Sequence, residues 1–465
     1  MGKFKEECGV FGAIGVDRAS YIAYQGIYAL QHRGQESAGI ATFSEGKMHY
    51  HKYMGLVSEI FKKYDFNKLP GTIAIAHNRY STSGSSSLVN AQPICMECKQ
   101  GMIGMAHNGN LINANILRTK LQKQGAIFQT TSDSEVIVHL ISRAKSSKLI
   151  PALKSALLKI KGAYSIVVMT PDSLIAARDP NGFRPLALGK LDKGFCVASE
   201  TCAFDLIGAQ YIREIKPGEI LKINKDMSMR SIYLPKAKRL AKCIFEYIYF
   251  SRPDSVIFGE NCDKIRREMG RQLAREDDYK DADIVISVPD SSNTAALGYA
   301  EESKIRFEIG LIRNHYVGRT FIKPSQDDRE LSVRVKFNPV KGVISNKKII
   351  LVEDSIVRGT TLRGLIKFLK SYGASEIHVR VASPMVIRPC FFGIDLSTKK
   401  EIIGANKTLD EICKFIGADS LRYISIKGLI GATGGNKKDF CAGCFDGSYP
   451  MKTPRNFEKV MMEKK

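Results

Sequence analysis

Long apolar runs are missing from this sequence. No stretch approaches the ~18 residues that cross a membrane, and the opening MGKFKEE lacks the apolar core of a secretory signal. A cytoplasmic protein with no membrane partner is therefore expected. Acidic residues are also scarce: 47 Asp and Glu stand against 70 Lys and Arg, a formal charge of +23. That surplus suits a nucleic-acid surface, a solubilising coat or phosphorylated small substrates. The basic residues are spread along the chain, without a Lys/Arg block or a zinc-finger, bZIP or RNA-binding signature, so nucleic acid is not expected as a partner. Repeats, low-complexity tracts and the GxxxxGK[ST] phosphate loop are absent too.

What is present is a chain of 465 residues, 44% hydrophobic, enough for two or three domains with sizeable cores. Over about the first 230 residues, runs such as VFGAIGV, TIAIAHNRY, MIGMAHNGNL and YSIVVMT are set off by Gly, Asn and Ser turns and predict strands. Helical patterns fall at Ala19–Gln31, Ile112–Gln124 and Asp133–Ala144. This mix predicts stacked sheets with helices outside, an α+β arrangement. A basic linker, LPKAKRLAK, follows at Leu234–Lys242. Beyond it DIVISVPD precedes a helical TAALGYAEES, and KKIILVED precedes TLRGLIKFLKSYG, with EIHVRVASP next. Strands and helices alternating in this way predict a parallel α/β sheet.

The most informative stretch is KKIILVEDSIVRGTTLRGLIKFL. Ile349–Val352 reads as a strand buried on both faces, and it ends in Glu353 and Asp354. The loop that follows carries Ser355, Gly359, Thr360 and Thr361 ahead of a helix. Main-chain N–H groups, hydroxyls and a helix N-terminus make a phosphate cradle, and the adjacent carboxylates suit ribose hydroxyls or Mg²⁺. A Walker B strand shares the apolar-then-acid pattern but needs the phosphate loop that is absent here.

VEDSIVRGTT resembles the phosphoribosylpyrophosphate (PRPP) motif of type I phosphoribosyltransferases, above all that of the glutamine PRPP amidotransferase family. The resemblance implies that Glu353 and Asp354 hold ribose hydroxyls and Mg²⁺, and that Ser355, Val357, Arg358, Gly359, Thr360 and Thr361 wrap the 5′-phosphate. Glu353 stands where the family usually has Asp. SVPDSSNTA resembles the family's pyrophosphate loop, with Asp290, Ser291 and Ser292 at the turn and Ser291 as a further Mg²⁺ contact. RNHYVGRTFIKPSQDDRELSVRVKFNPV resembles its catalytic loop, which implies PRPP contacts from Arg319, Arg329 and Lys336.

The other end of the chain raises a separate question, because Cys8 heads the strand-like CGVFG but seven residues precede it. A thiol needs a nearby base to attack as thiolate. No GxCxG-like elbow of the Cys-His-Glu glutaminases exists, which leaves the α-amine of an N-terminal cysteine, pKa ~7.7–8.0, as base. HRGQES, HNRYSTSG, HNGNL and SDSE follow in the order found in N-terminal-nucleophile (Ntn) amidotransferases. By that resemblance Cys8 is the nucleophile, Arg33, Arg79 and Asp133 bind glutamine, and Asn108 with the Gly109 N–H forms the oxyanion hole. Met1–Glu7 is then a propeptide. The resemblance divides the chain into that propeptide, a class II glutamine amidotransferase domain at 8–235 with an Ntn hydrolase sandwich, and an α/β type I phosphoribosyltransferase domain at 236–465.

Eleven cysteines without a secretory signal argue for catalysis, metal or buried thiols rather than disulfides. Cys441 and Cys444 supply half a tetrahedral thiolate site. Cys243 and Cys390 lie in segments resembling those that complete a [4Fe–4S] site in the iron–sulfur branch of the family, with zinc in the same four thiolates as the rival. Cys95 and Cys98, in a hairpin of the first half, are expected to be plain thiols; Cys196, Cys202, Cys262 and Cys413 read as small hydrophobes.

The resemblance covers Cys8 to about Tyr449 and implies formation of phosphoribosylamine, glutamate and pyrophosphate from glutamine, PRPP and water. It further implies a homotetramer inhibited by purine nucleotides. Two rivals stay open: another Ntn amidotransferase, which would need a different second domain, and a PRPP-sensing nucleic-acid regulator, which would leave the glutamine site unexplained.

Overall fold

The computed structural model describes residues 8–80, 85–314, 334–396 and 398–454. The amino-terminal half is built on two antiparallel sheets. Seven strands form the first, in the order Gln210–Glu214, Ala187–Lys190, Phe195–Ala198, Gly9–Ile14, Ile73–Arg79, Ser37–Ser44, Lys47–Met54. Six form the second, in the order Met229–Tyr233, Glu219–Asn224, Ser173–Arg178, Gly162–Met169, Gly101–Leu111, Ile94–Cys98.

The strand Gly9–Ile14 shows why the opening run is apolar throughout. Side chains alternate across a strand, so Val10 and Ile14 enter the core between the sheets, against Ala106 and Val167. Phe11 and Ala13 face the other way, against the helix Ala19–Ala29. Neither face meets water. Helices Ser134–Ser142 and Leu149–Leu157 cover the second sheet in the same manner. The resulting helix–sheet–sheet–helix sandwich is the α+β arrangement expected. Two helices begin later than their sequence patterns suggest, at Ala114 and Ser134, because Asn113 and Asp133 take the positions just before the first turn.

After Tyr233 the chain leaves the sheet through Leu234–Ala241 and enters the second half. Four parallel strands follow, Ile284–Ser287, Lys348–Glu353, Glu376–Val381 and Ser420–Tyr423, paired in that order. Ile349–Val352 is wholly buried, as a strand covered on both faces must be. Helix Thr360–Ser371 lays Leu362, Leu365, Ile366 and Leu369 on the sheet at helical spacing.

The two halves share a core. Ala163 and Phe183 of the first half pack with Cys243, Phe245, Phe391, Phe392 and Phe445 of the second. Phe183 stacks on Phe392 with ring centroids 4.4 Å apart. No helix among the described residues is long and apolar enough to cross a membrane.

Candidate functional site

Cys8 sits immediately before the central strand of the seven-stranded sheet, which pairs with Ile73–Arg79 so that Gly9 lies opposite Asn78. This brings the thiol beside the Arg79–Tyr80 segment, where Sγ donates to the Tyr80 carbonyl at 3.3 Å. Burial pushes the thiol up to about 11; the Tyr80 hydrogen bond and Arg79 oppose the rise, and Asp133 adds to it. Burial thus favours the neutral thiol, and a buried thiol that acts as a nucleophile needs a base.

Asn108 lies on the second sheet, in the strand Gly101–Leu111, and is 1% exposed. Its Nδ2 finds no hydrogen-bond partner among the described residues. A buried amide donor without an acceptor is costly, and it is what an oxyanion hole keeps ready. Gly109 beside it has φ +147°, and a Cβ there would lie 2.0 Å from the Ala163 carbonyl oxygen. Only glycine fits. Asp133 accepts from the Leu111 N–H at 2.9 Å, tying its carboxylate to the end of the same strand. Arg79 is 2% exposed and donates through Nη1 to the Ser85 carbonyl at 3.0 Å.

Arg33 is buried. Its Nε donates to the Cys8 carbonyl at 3.1 Å, and its Nη atoms go to Glu200 and Glu246 at 2.5–2.9 Å. The guanidinium therefore engages the Cys8 main chain and two carboxylates, contacts the motif HRGQES does not announce. Burial would raise the Glu200 carboxyl, but His32 and Arg33 hold it well below the ordinary carboxylate range. Glu200 and Glu246 were missed from sequence. The available signal was a lone acid inside the apolar CIFEYIYF, since a buried charge must be paired.

At the other site the carboxyl end of strand Lys348–Glu353 faces the turn after Ile284–Ser287, two strands adjacent in the sheet. Ser291 Oγ donates to Asp354 Oδ2 at 2.5 Å, and Ser292 Oγ to Glu353 Oε1 at 3.2 Å. Ser355 Oγ donates to Asp354 Oδ1 at 2.5 Å. The two motifs, over sixty residues apart, thus form one polar cluster. Asp290 pairs with Arg313 at 2.9 Å. Gly359 takes the left-handed conformation, φ +71°, just before the helix that begins at Thr360, and Thr360 is exposed and Thr361 half-buried at its N-terminus. Val357 turns its side chain into the core, and its carbonyl accepts from the Ile403 N–H. Arg358 pairs with Glu401 at 2.8 Å on the surface. Lys336 is exposed, with its carbonyl accepting from the Asn314 N–H at 2.9 Å. Arg319 and Arg329 lie outside the described residues.

The four cysteines expected as ligands converge from three segments. Lys242–Cys243 pairs in parallel with Phe440–Cys441, setting Cys243 opposite Cys441. Burial pushes the Cys444 thiol well up, and Cys390, Cys441 and Cys243 push it further. Cys441 rises to about 12 through burial, with Cys390 adding to it. Among the described residues no three His, Cys, Asp or Glu side chains meet closely enough to grip a single ion. The Phe392 N–H donates to Cys390 Sγ at 3.4 Å.

Residues 77–205 match the family described as "Glutamine amidotransferase domain". The chain is 47% identical to "Amidophosphoribosyltransferase" of Bacillus subtilis (strain 168) over 450 residues, 96% of this chain and 94% of that one. It is 46% identical to the protein of that name from Methanocaldococcus jannaschii, over 98% of this chain and 99% of the other. Among solved structures, glutamine PRPP amidotransferase from B. subtilis complexed with ADP and GMP superposes with a TM-score of 0.91 at 46% identity, covering 96% of this chain and 98% of that one.

Proposed function

The chain belongs to the amidophosphoribosyltransferase family, and from that premise we propose which residues carry its two half-reactions. The enzyme transfers the amide nitrogen of glutamine to PRPP, giving phosphoribosylamine, glutamate and pyrophosphate, the step that commits PRPP to purine synthesis. Cys8 attacks the glutamine amide and forms a thioester. The proton goes to its own α-amine once Met1–Glu7 is removed, because an amide nitrogen cannot accept it. Arg79 pairs with the substrate α-carboxylate, Asp133 with its α-ammonium, and Asn108 Nδ2 with the Gly109 N–H receives the oxyanion. The observation that carries this reading is the buried Asn108 amide, which has no acceptor among the described residues.

Ammonia then passes within the protein to the second half and displaces pyrophosphate from C1 of PRPP. Asp354 and Glu353 orient the ribose hydroxyls, and the Ser355–Thr361 loop with the helix N-terminus behind it holds the 5′-phosphate. Two carboxylates and the Ser291 hydroxyl are hard oxygen donors that suit Mg²⁺, which neutralises the leaving pyrophosphate when bound.

Cys243, Cys390, Cys441 and Cys444 are the set that would hold a [4Fe–4S] cluster. A single zinc ion draws four thiolates close together, whereas a four-iron cluster accepts a wider spacing. Cys243 lies opposite Cys441, and Cys390, Cys441 and Cys243 all act on the Cys444 thiol, which supports one shared site for the four. The same reading includes a cytoplasmic homotetramer inhibited by purine nucleotides. The test is Cys8→Ala assayed with two nitrogen sources. Glutamine-dependent synthesis should vanish while ammonia-dependent synthesis persists; loss of both, or of neither, would refute the division of labour.

A further inference from the structure

We propose that Glu246, contributed by the phosphoribosyl half, is a positioning residue for the glutaminase nucleophile, acting through Arg33 on the main chain of Cys8. This rests on the reading of Cys8 as nucleophile given above. Arg33, Arg184, Glu200 and Glu246 are each no more than 1% exposed, two cations against two anions. Glu246 grips Arg33 with both oxygens, Oε1 to Nη2 at 2.8 Å and Oε2 to Nη1 at 2.9 Å. A planar fork held by a bidentate carboxylate has its orientation fixed. That orientation aims Nε–H at the Cys8 carbonyl 3.1 Å away. Turning the Cys8 carbonyl would swing the α-amine and the thiol together.

Glu246 is itself held on three sides. Ser251 Oγ donates to Oε2 at 2.7 Å, and Arg184 Nη1 approaches Oε1 at 3.3 Å while its Nη2 donates to the Phe392 carbonyl at 2.6 Å. Glu200, the other partner of Arg33, belongs to the glutaminase half and is fastened by the Arg252 N–H and Ser255 Oγ, both at 2.8 Å. The nucleophile's main chain is thus one guanidinium away from a carboxylate of the other half. Movement of the segment bearing Glu246 reaches Cys8 through Arg33.

The test uses full-length, anaerobically purified protein carrying Glu246→Gln or Glu246→Asp. Three quantities are read: kcat and KM for glutamine hydrolysis, ammonia-dependent synthesis, and the rate at which a glutamine-like chloroketone labels Cys8. Glu246→Gln should lower hydrolysis kcat and Cys8 labelling on the order of 10- to 100-fold, the cost of a small misplacement of a reacting group. KM and ammonia-dependent synthesis should stay nearly unchanged, and Glu246→Asp, which keeps the charge, should recover part of the loss. Equal loss of both activities would reduce Glu246 to a structural brace and overturn the proposal, as would unchanged hydrolysis. Should Glu246→Gln fail to fold, Glu246→Asp carries the same comparison. Failure of the unsubstituted enzyme to label at Cys8 would instead overturn the reading of the nucleophile.

Discussion

Each half of the chain carries a Cys-x-x-Cys pair, and the backbone beneath each pair differs. Cys95 and Cys98 both lie on the strand Ile94–Cys98, where an odd separation sends side chains to opposite faces. Cys95 packs into the core between the sheets, and Cys98 packs on the helix-covered side. Cys441 ends a two-residue strand and Cys444 lies in the short helix Gly443–Asp446 that follows. The spacing is identical and the chemistry is not: one pair is split by a sheet, the other is gathered with Cys243 and Cys390.

The sharpest way to break this comparison is to count iron. Cys444→Ser should take the protein from about four irons per chain to none, with its visible absorbance, whereas Cys98→Ser should leave both unchanged. Iron lost from the Cys98 variant, or stoichiometric zinc in the unsubstituted protein, would reverse the assignment. Next in size is Asn108→Ala, which should cost glutamine hydrolysis ~10²–10³-fold while ammonia-dependent synthesis continues, because a single oxyanion donor is lost. Its mirror in the other half is Asp354→Asn. Synthesis from either nitrogen source should fall on the order of 100-fold, and glutamine hydrolysis should remain measurable; hydrolysis and synthesis falling in step would erase the distinction between the halves. The smallest effect belongs to Cys95→Ala, which removes one buried sulfur and should lower unfolding stability by about 1 kcal/mol in a denaturant titration. The iron content should stay the same.

The division between strands, helices and halves was legible because each depends on neighbours in sequence. The run VFGAI announces a strand covered on both faces, and ILVED followed by a hydroxyl-rich turn announces a ligand loop at a sheet's carboxyl end. The readings of Cys8, Asn108, Asp354 and the four cysteines came from motifs that carry their own chemistry. Arg33 shows where this fails. Its local context, HRGQES, marks it as functional but not what it touches, since its partners Glu200 and Glu246 lie 167 and 213 residues away. Val357 likewise owes its place in the reading to its motif, which does not announce that its side chain is buried in the core.

The long reach of these contacts has a consequence for synthesis on the ribosome. Arg33 waits for Glu246, and Asn110 Nδ2, on the same strand as Asn108 and Gly109, waits 281 residues for the Phe391 carbonyl it donates to at 2.8 Å. At ~5–20 residues per second that interval is roughly a quarter of a minute to one minute. Until Glu246 and Phe391 emerge, Arg33 lacks the second carboxylate that joins Glu200 on it, and Asn110 Nδ2 lacks its Phe391 acceptor. The first domain to be made is therefore among the last to be finished, and a chain truncated before Phe391 lacks the groups that complete it.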